Sequence, residues 1–480
     1  MIGLNYIAGQ WVPALSGSTF ERRNPADRTD LIGVFPDSGS ADVDAAVTAL
    51  MEAAPAWSAT APERRAAVLE SAAVQLESIS DTLVEELIRE EGKTRAEAAM
   101  EVSRTPMNLR FYAGEAVRSS GSTLPSPGDG LVMTLREPVG VVGAITPWNF
   151  PLNIPSRKLG PALAAGNVVL FKPSELTPMM GQRLVEALLA GGLPAGAIAL
   201  VQGSGKAGAA LVADPRVDAV TFTGSTQTGR SIHAAVGPER RSQLEMGGKN
   251  PVVVLDDADL DKAAALIVKG AFGLSGQACT GTSRVVALDS VHDSLLDRVV
   301  GLTHSLVVGA GVDDGVSMGA LASAGQYRKF LDYVQVGLDD GAELICGGKP
   351  SGDDGDGFFV EPTVFAGGTA GMRIVAEEVF GPLLVFMRAD DLDQAIELAN
   401  DTEYGLSASV VTRDIGAALA FAAKSKTGLV KINQPTTGMS MNAPFGGYKA
   451  SSTQTNKEQA GESMMAFYQS EKTVYMDVLA

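Results

Sequence analysis

Cysteine and histidine are scarce in this sequence of 480 residues. Two cysteines, Cys279 and Cys346, are too few for a disulfide framework and are typical of a reducing compartment. Three histidines, His233, His292 and His304, have no Cys, Asp or Glu at the spacing of metal ligands. We therefore expect no bound metal and no Ser-His-Asp triad.

Basic residues and long apolar runs are also few. The chain has 38 Lys and Arg against 56 Asp and Glu, a formal net charge of −18. Because phosphate backbones and anionic lipids require clustered positive charge, we expect no contact with nucleic acid or membrane. No run approaches the roughly 20 apolar residues that cross a bilayer, and the N-terminus lacks a basic segment followed by an apolar core. The expected location is the cytoplasm.

The remaining composition is that of a globular protein with a large core. Hydrophobic residues make up 45% of the chain and charged residues 20%. The length indicates two to four domains of about 100–200 residues. Apolar residues recur at three- and four-residue spacing through the first ~115 residues, which predicts helices there. From residue 139 onward, short apolar strands alternate with helical stretches, and this pattern predicts an α/β fold with parallel sheets covered by helices.

Two segments lie outside this series. A Ser-, Gly- and Pro-rich stretch, residues 119–130, separates two candidate strands, and the C-terminal EKTVYMDV alternates like a strand with no helix after it. An exposed edge strand usually needs a partner, so the hairpin and the tail could pair across a subunit boundary. The alternative is that the tail pairs within its own chain.

Two glycine turns are candidates for a nucleotide site. Gly203, Gly205 and Gly208 match G-x-G-x-x-G, but the next strand ends without the acid that binds the ribose, so we interpret this match as a tight turn near a cofactor. In the following turn, Gly224 allows close backbone approach, and the Ser225 hydroxyl with the free amides of a helix start could hold a pyrophosphate. An ordinary capped helix is the alternative.

Lys172 and Glu175 follow the carboxyl end of another apolar strand. There they could hydrogen-bond the two hydroxyls of an adenosine ribose, and the Glu175 carboxylate would repel a 2′-phosphate. The alternative is an exposed loop that caps the next helix.

Three further residues suit acyl chemistry. Cys279 has small neighbours that leave its sulfur approachable, whereas Cys346 is typical of a structural cysteine. Glu245 leaves an apolar strand into a glycine turn, where burial would raise its pKa and make it a usable base. Asn149, at the expected start of a helix, offers an amide donor for an oxyanion. None of the three is specific alone.

Together, seven motifs resemble the aldehyde dehydrogenase superfamily in order and spacing over nearly the whole chain: VGVVGAITPWNFP, LFKPSELTP, VTFTGSTQTGR, QLEMGGKNPVVV, FGLSGQACTGTSR, AEEVFGPLL and NAPFGGYKAS. The Glu-x-Gly-Gly-Lys, Gly-Gln-x-Cys and Glu-x-Phe-Gly-Pro elements are family signatures. The resemblance implies a Rossmann-like NAD-binding domain (1–117 and 139–247), a catalytic domain (248–445) and a small β oligomerisation arm (118–138 and 446–480), in a homodimer or homotetramer.

By this resemblance, Cys279 is the nucleophile, Glu245 the general base and Asn149 the side-chain oxyanion donor, and Lys158 belongs to the catalytic set. The implied cofactor is NAD, with NADP as the alternative. The residues that would bind it are Thr146, Pro147, Trp148, Lys172, Ser174, Glu175, Gly205, Phe222, Gly224, Ser225, Gly247, Glu378 and Phe380. One departure is Lys-Ala-Ser-Ser at 449–452 in place of the family's Lys-x-Ser-Gly, which concerns the shape of that loop.

The expected substrate signal follows Asn149. On one helix, Asn153 and Arg157 would share a face with Asn149, so that Arg157 faces the same pocket. Family members that oxidise succinic semialdehyde carry an Arg at this position, where it holds the substrate carboxylate. The alternative is that Arg157 pairs with a surface acid. Phe150 and Thr280 complete the predicted substrate-binding set.

The stretch NQPTTGMSMNAPFGGYKASSTQTNKEQ looks most like α-ketoglutarate semialdehyde (2,5-dioxopentanoate) dehydrogenases of sugar-acid catabolism. The resemblance therefore implies NAD(P)-dependent oxidation of α-ketoglutaric semialdehyde, or next of succinic semialdehyde, through a cysteine thioester. The alternatives are transfer of the acyl group to CoA, oxidation of uncharged or aromatic aldehydes, and a non-catalytic member of the family.

Overall fold

The computed structural model of the chain describes residues 1–126, 130–352, 357–453, 458 and 461–477. Its strands are β1 (Asn5–Ile7), β2 (Gln10–Val12), β3 (Thr19–Asn24), β4 (Asp27–Pro36), β5 (Thr123–Leu124), β6 (Leu131–Pro138), β7 (Val141–Ile145), β8 (Val168–Lys172), β9 (Ile198–Leu200), β10 (Ala219–Thr223), β11 (Arg241–Glu245), β12 (Asn250–Val254), β13 (Thr282–Leu288), β14 (Glu343–Cys346), β15 (Thr363–Ala366), β16 (Leu383–Ala389), β17 (Tyr404–Gly405), β18 (Ser407–Val411), β19 (Leu429–Ile432), β20 (Tyr448–Lys449) and β21 (Gln469–Met476).

The helices are α1 (Ser40–Ser58), α2 (Pro62–Ser78), α3 (Ser80–Glu91), α4 (Arg95–Arg118), α5 (Asn153–Ala164), α6 (Pro178–Ala190), α7 (Gly205–Ala213), α8 (Thr226–Val236), α9 (Leu260–Phe272), α10 (Asp289–His304), α11 (Ala324–Asp339), α12 (Arg373–Ala376), α13 (Leu392–Asn400), α14 (Ile415–Lys424) and α15 (Gly461–Phe467). Within the described ranges, none of the helices has the length and apolar character needed to span a membrane.

The first large sheet contains five parallel strands in the order β11-β10-β7-β8-β9, extended by β1 and β2 in antiparallel orientation. Every residue of β7, β8 and β10 is buried, as expected for parallel strands covered by helices on both faces. Because β7, β8, β10 and β11 run in the same direction, the residues that follow them meet at one edge of the sheet. That edge carries the candidate site.

The second large sheet has the order β14-β15-β16-β13-β12-β18-β19 and is parallel except for β14. The alternation of strands and helices that the sequence predicts from residue 139 onward is confirmed. Separate buried clusters of aliphatic and aromatic side chains form the cores around the two sheets. The predicted α/β fold with two parallel-sheet layers is therefore confirmed.

The C-terminal tail forms the predicted strand. β21 pairs antiparallel with β6 of the same chain, from Gln469 opposite Pro138 to Met476 opposite Leu131, and β5 lies on the other side of β6. Of the two partners that the sequence left open, the structure contains the one within the chain.

The prediction of helices throughout the first ~115 residues is wrong for residues 5–36. This segment contains β1–β4, and the first helix begins only at Ser40. β3 and β4 form an antiparallel pair in which Phe20 lies opposite Phe35, while β1 joins the first sheet beside β9. Aromatic and β-branched residues in β4 favour this extended structure.

A second correction concerns the segment after β7. The structure begins α5 at Asn153, so Asn149 lies in the preceding turn and not on the helix. The argument that Asn149, Asn153 and Arg157 share one helical face is therefore wrong for Asn149, because helical spacing does not apply to a residue four positions before the helix.

Candidate active site

A cavity of about 120 Å³ lies at the carboxyl edge of the first sheet. Segments that precede strands of the second sheet also line this cavity. Nine predicted site residues line it: Pro147, Trp148, Asn149, Gly224, Ser225, Gly247, Cys279, Glu378 and Phe380. The fold thus brings the predicted nucleophile and the predicted oxyanion donor together, although they lie far apart in sequence.

Cys279 follows a strained turn and is half-buried at the cavity wall. In the 3₁₀ turn before it, Leu274 and Ser275 have φ values of +54° and +53°, a left-handed conformation that is uncommon for residues other than glycine. Leu274 N donates to Glu97 Oε1 (2.6 Å), and Ser275 Oγ donates to the Gly319 carbonyl (2.9 Å). Strain held by surrounding contacts is typical of functional loops, and this turn places Cys279 at the cavity.

The Cys279 thiol is protonated at neutral pH in this arrangement. Burial raises its pKa to about 12, and the nearby carboxylate of Glu378 contributes to the rise. Because the thiolate is the nucleophilic form of cysteine, Cys279 has to lose this proton if it acts as the predicted nucleophile.

We expect the alkylation of Cys279 by iodoacetamide to accelerate about tenfold per pH unit between roughly pH 7 and 9.5 in the cofactor-free protein. A thiol with a pKa far above this range gains thiolate steadily as the pH rises, whereas an ordinary thiol, with a pKa near 8.5, levels off above about pH 9. Mass spectrometry of the Cys346→Ala variant would follow Cys279 alone. A plateau within this range would contradict the raised pKa.

Asn149 is held from two sides. Its Nδ2 donates to the carbonyl of Gln277 (2.9 Å), two residues before Cys279, and its own main-chain oxygen accepts from Lys93 Nζ (2.8 Å). The residue is only 3% exposed. An amide nitrogen carries two hydrogens, so one donor remains for a second acceptor. A fixed donor of this kind suits an oxygen on which negative charge develops.

Glu245 is buried at the end of β11. It forms a backbone bridge with Ser452, whose hydroxyl donates to Glu245 Oε1 (3.2 Å), and Ser451 Oγ donates to the Gly247 carbonyl (2.7 Å). Ser452, the residue that departs from the family pattern, therefore packs against the predicted base. Glu245 is not one of the described residues that line the cavity.

The turn between β10 and α8 places a helix N-terminus at the cavity. Ser225 lines the cavity and caps α8, with its hydroxyl accepting from Thr228 N (3.3 Å). A Cβ atom on Gly224 would lie 2.5 Å from the Phe222 ring, so only glycine allows this close approach. The turn is a capped helix, as the alternative interpretation held, and it still offers amide donors to an anion.

Glu378 and two aromatic rings form another part of the wall. Glu378 Oε1 accepts from Gly248 N (2.9 Å), and a Cβ atom on Gly247 would lie 2.1 Å from the carboxylate. Burial raises the pKa of Glu378. The rings of Trp148 and Phe380 meet edge to face, with centroids 5.4 Å apart. Only glycine at position 247 leaves room for the Glu378 carboxylate.

The remaining predicted cofactor residues do not line this cavity. Lys172 ends β8 and is buried, with its Nζ 3.3 Å from Oε2 of the more exposed Glu175, and Ser174 lies between them. Burial lowers the pKa of Lys172. Thr146 N donates to the Lys172 carbonyl (3.2 Å), and Gly205 begins α7.

Arg157 and Lys158 form a buried cluster with Glu458. Arg157 Nη2 lies 3.3 Å from Glu458 Oε1, and Lys158 Nζ lies 2.7 Å from Glu458 Oε2 and 3.0 Å from Thr221 Oγ1. Burial acts to raise the pKa of Glu458, but the two cations together lower it below its usual value. The acid beside Arg157 is therefore a buried, ionised carboxylate, not the surface acid that the sequence left open.

The predicted substrate residues are dispersed around the cavity. Arg157 and Lys158 are not among the described residues that line it. Asn153 lines a neighbouring cavity of about 140 Å³ with Arg104 and Met439, and Met439 Sδ lies 2.9 Å from Arg157 Nη1.

Two other predicted substrate residues have contacts of different kinds. The ring of Phe150 lies 5.0 Å from Lys93 Nζ. Thr280 is buried, and its carbonyl accepts from Thr436 Oγ1 (2.7 Å). The substrate roles of all these residues stay predictions.

Comparison with known proteins identifies the family. The model of the aldehyde dehydrogenase family matches residues 11–474 of this chain. The chain belongs to the aldehyde dehydrogenase family. The resemblance inferred from the seven motifs is thereby confirmed.

Relatives of this aldehyde dehydrogenase match it along almost its full length. The 2,5-dioxopentanoate dehydrogenase of Saccharolobus solfataricus is 42% identical over 474 residues, 98% of each chain. The α-ketoglutaric semialdehyde dehydrogenase of Bacillus subtilis is 40% identical over 478 residues, also 98% of each chain. The crystal structure of an NAD-dependent aldehyde dehydrogenase from Sinorhizobium meliloti has a TM-score of 0.95 at 35% identity, covering 99% of this chain and 95% of that chain.

Sequence reasoning missed three buried charged residues of this aldehyde dehydrogenase: Lys93, Glu101 and Glu458. A signal existed for one of them, since Glu101 falls at an apolar-face position of α4 together with the buried Ala98 and Thr105. For Lys93 and Glu458 the local sequence contains no comparable pattern.

Proposed function

We propose that this enzyme oxidises a short aldehyde with a distal carboxylate to the acid, with NAD as oxidant. α-Ketoglutaric semialdehyde is the first candidate, and succinic semialdehyde is the next. The observation that carries the proposal is Cys279 beside Asn149 in one cavity, in a chain that matches two relatives named for this semialdehyde along 98% of its length. NADH absorbance with NAD and each semialdehyde tests it, and no turnover with either would refute it.

The first half of the reaction uses Cys279 and Asn149. The Cys279 thiol first loses its proton to solvent; the thiolate then attacks the aldehyde carbon, and the carbonyl oxygen becomes an alkoxide. Asn149 Nδ2 and the main-chain N–H of Cys279 donate hydrogen bonds to this oxygen. Bound NAD supplies the acceptor for the hydride that leaves the same carbon. The substrate is then a thioester on Cys279.

The second half uses Glu245. Its carboxylate takes a proton from a water molecule, which attacks the thioester carbon and releases the acid and free Cys279. The hydroxyl of Ser452, 3.2 Å from Glu245 Oε1, orients this carboxylate. A base that activates water favours hydrolysis over transfer of the acyl group to CoA.

The residues at the sheet edge fit a dinucleotide. Gly247 leaves room for the Glu378 carboxylate at the cavity wall, where it can accept from ribose hydroxyls. Ser225 and the N-terminal amides of α8 suit a pyrophosphate. Lys172 and Glu175 provide a donor and an acceptor for the adenosine ribose. The other residues that we assign to the same cofactor are Thr146, Pro147, Trp148, Ser174, Gly205, Phe222, Gly224 and Phe380.

We expect NAD to be preferred over NADP, and Glu175→Ser to raise the kcat/KM ratio of NADP to NAD by about tenfold. The carboxylate of Glu175 lies 3.3 Å from Lys172 Nζ, where a 2′-phosphate would meet a second negative charge. Steady-state kinetics of the wild type and of Glu175→Ser, each with NAD and with NADP, measures the ratio. Equal kcat/KM values for the two cofactors in the wild type would contradict the assignment of Glu175.

The substrate carboxylate requires a cation near the cavity. Arg157 is our first candidate, although Glu458 offsets part of its charge. Arg104 on α4 is the second, because it is exposed, lines the neighbouring cavity with Asn153, and has no ion pair among the described residues. A guanidinium matches a carboxylate in a two-pronged geometry, which favours Arg for this role.

We expect Arg157→Leu to lower kcat/KM for the two semialdehydes by about ten- to a hundredfold while sparing butanal. The substrate contact that is lost exists only for substrates with a carboxylate, and Lys158 still pairs with Glu458 after Arg157 is replaced. Arg104→Leu is the matched variant, and its effect should stay below about fivefold because its guanidinium is exposed to solvent. Steady-state kinetics with all three aldehydes measures both variants.

The second candidate function is the oxidation of uncharged aldehydes. One observation favours it: Arg157 pairs with Glu458, which offsets part of the charge of Arg157. Equal losses for butanal and the semialdehydes in Arg157→Leu would assign Arg157 to the structure. A selective loss in Arg104→Leu instead would move the carboxylate site to the neighbouring cavity.

We also propose the three-part division inferred from the sequence and a homo-oligomer assembled through the three-stranded sheet. Apolar residues are exposed along its strands: Leu124, Leu131, Leu135, Tyr475 and Met476. In the described part of the chain, β21 and β5 have no further strand beside them. An edge of this kind is suited to a second copy of the sheet. Sedimentation velocity would distinguish a dimer from a tetramer.

A further inference from the structure

A buried ion pair lies directly behind Asn149. Lys93 precedes α4, and Glu101 lies two turns into that helix, with Lys93 Nζ 2.6 Å from Glu101 Oε2. The two residues are 2% and 1% exposed. Burial acts to lower the pKa of Lys93, but the carboxylates of Glu101 and Glu91 raise it above its usual value, so the ammonium is charged. Neither residue lines the cavity.

The Lys93–Glu101 pair contacts both ends of the turn that carries Asn149. Lys93 Nζ donates to the Asn149 carbonyl (2.8 Å). Glu101 Oε1 accepts from the amides of Leu152 (2.9 Å) and Asn153 (3.1 Å), which are free donors at the start of α5. Both charged groups therefore bind main-chain atoms within five residues of chain.

These contacts set the direction of the Asn149 side chain. Its Nδ2 reaches forward to the Gln277 carbonyl, while its carbonyl is held from behind by Lys93. The main-chain carbonyl and the side chain leave the same Cα atom, so a displacement of the backbone at Asn149 would move both groups. Charge-assisted hydrogen bonds to buried backbone resist such a rotation better than neutral ones.

The presence of Lys93 in this pair is not explained by the capping of α5. Glu101 alone satisfies the first amides of α5, and a neutral acceptor could do the same. Burying an ammonium group is costly because the group loses its hydration. Among the described residues, Lys93 is the one side chain that contacts the Asn149 carbonyl.

We propose that Lys93 and Glu101 are positioning residues for the oxidation step and hold Asn149 so that its amide reaches the substrate oxygen. The inference rests on the proposed function, in which Asn149 binds the developing alkoxide. Small displacements of a catalytic group cost large factors in rate, about a hundredfold for 1 Å.

The test is a double-mutant cycle between Lys93 and Asn149, measured as kcat/KM for the semialdehydes. Lys93→Met should lower it by about ten- to a hundredfold in the wild-type background, with NAD binding within about twofold. In the Asn149→Ala background, the same substitution should cost less than about twofold, because the group to be positioned is gone. Lys93→Arg should restore part of the loss.

Two further variants guard against a simple loss of folding. Lys93→Met/Glu101→Gln removes both charges of the pair and keeps an acceptor for α5, so it carries the same cycle if Lys93→Met does not fold. Arg183→Met/Glu86→Gln removes a remote ion pair between α6 and α3. That control should change the unfolding temperature but not kcat/KM.

Equal losses in the two backgrounds would overturn the positioning role, as would a folded Lys93 variant with wild-type kcat/KM. A wild-type enzyme that oxidises no semialdehyde would instead refute the proposed function itself. The two failures are therefore distinguishable, because only the second is visible without any substitution.

Discussion

Replacing Cys279 with alanine should lower kcat/KM for aldehyde oxidation by about 10⁴-fold or more, to the background rate. Alanine has no nucleophile, so no thioester forms and no carbon is prepared to release hydride. The turn that carries Cys279 is held by main-chain contacts of Leu274 and by the Ser275 hydroxyl, so the substitution should leave the fold and NAD binding unchanged. NADH absorbance in the steady state measures the effect.

Cys346→Ala is the matched control for this experiment. Cys346 lies on β14 at the edge of the second sheet and is not among the described residues that line the cavity. Its loss should leave kcat/KM within about twofold of the wild-type value. Substantial turnover by the Cys279 variant would contradict covalent catalysis by this residue.

The Glu245→Gln variant should form about one NADH per active site rapidly and then turn over about 10²–10⁴-fold more slowly than the wild type. In the proposed mechanism, hydrolysis of the thioester uses Glu245 as base, whereas the oxidation step does not. Gln keeps the shape of the side chain and the oxygen that accepts from Ser452. Stopped-flow measurement of NADH separates the burst from the steady state.

Hydroxylamine, which attacks thioesters without a general base, should restore turnover of the Glu245→Gln variant. Glu239→Gln, an exposed carboxylate between α8 and β11, serves as the control and should behave as wild type. A Glu245→Gln variant with undiminished steady-state turnover would show that another group activates the water.

The two-layer fold could be predicted because buried parallel strands leave a strong local signal. The apolar runs at β7, β8 and β12 consist mainly of aliphatic and aromatic residues suited to burial on both faces. The hairpin of β3 and β4 was missed because most of its residues are exposed or half-buried and several are charged, and because the Ala-rich helices after Ser40 dominated the periodicity of that region.

The residues of the candidate site could likewise be predicted only in part. Asn149, Cys279 and Ser225 lie in turns next to strands, and the sequence identifies such turns by their prolines, glycines and small residues. Glu458 could not be found, because its partners Arg157 and Lys158 lie some 300 positions earlier in the chain. Its burial depends entirely on tertiary contacts, and no local periodicity reports those.

The contacts of the C-terminal segment have a consequence for the synthesis of this protein. The carboxylate of Glu458, the hydroxyl of Ser452 and strand β21 all join the part of the chain that contains β6, α5 and β11. Because a ribosome makes the chain from its N-terminus and domains fold as they emerge, α5 is complete long before Glu458 exists. A nascent chain therefore contains Cys279 and Glu245 before the groups that pack around them, and we expect the site to be complete only once Ser452, Glu458 and β21 have left the ribosome.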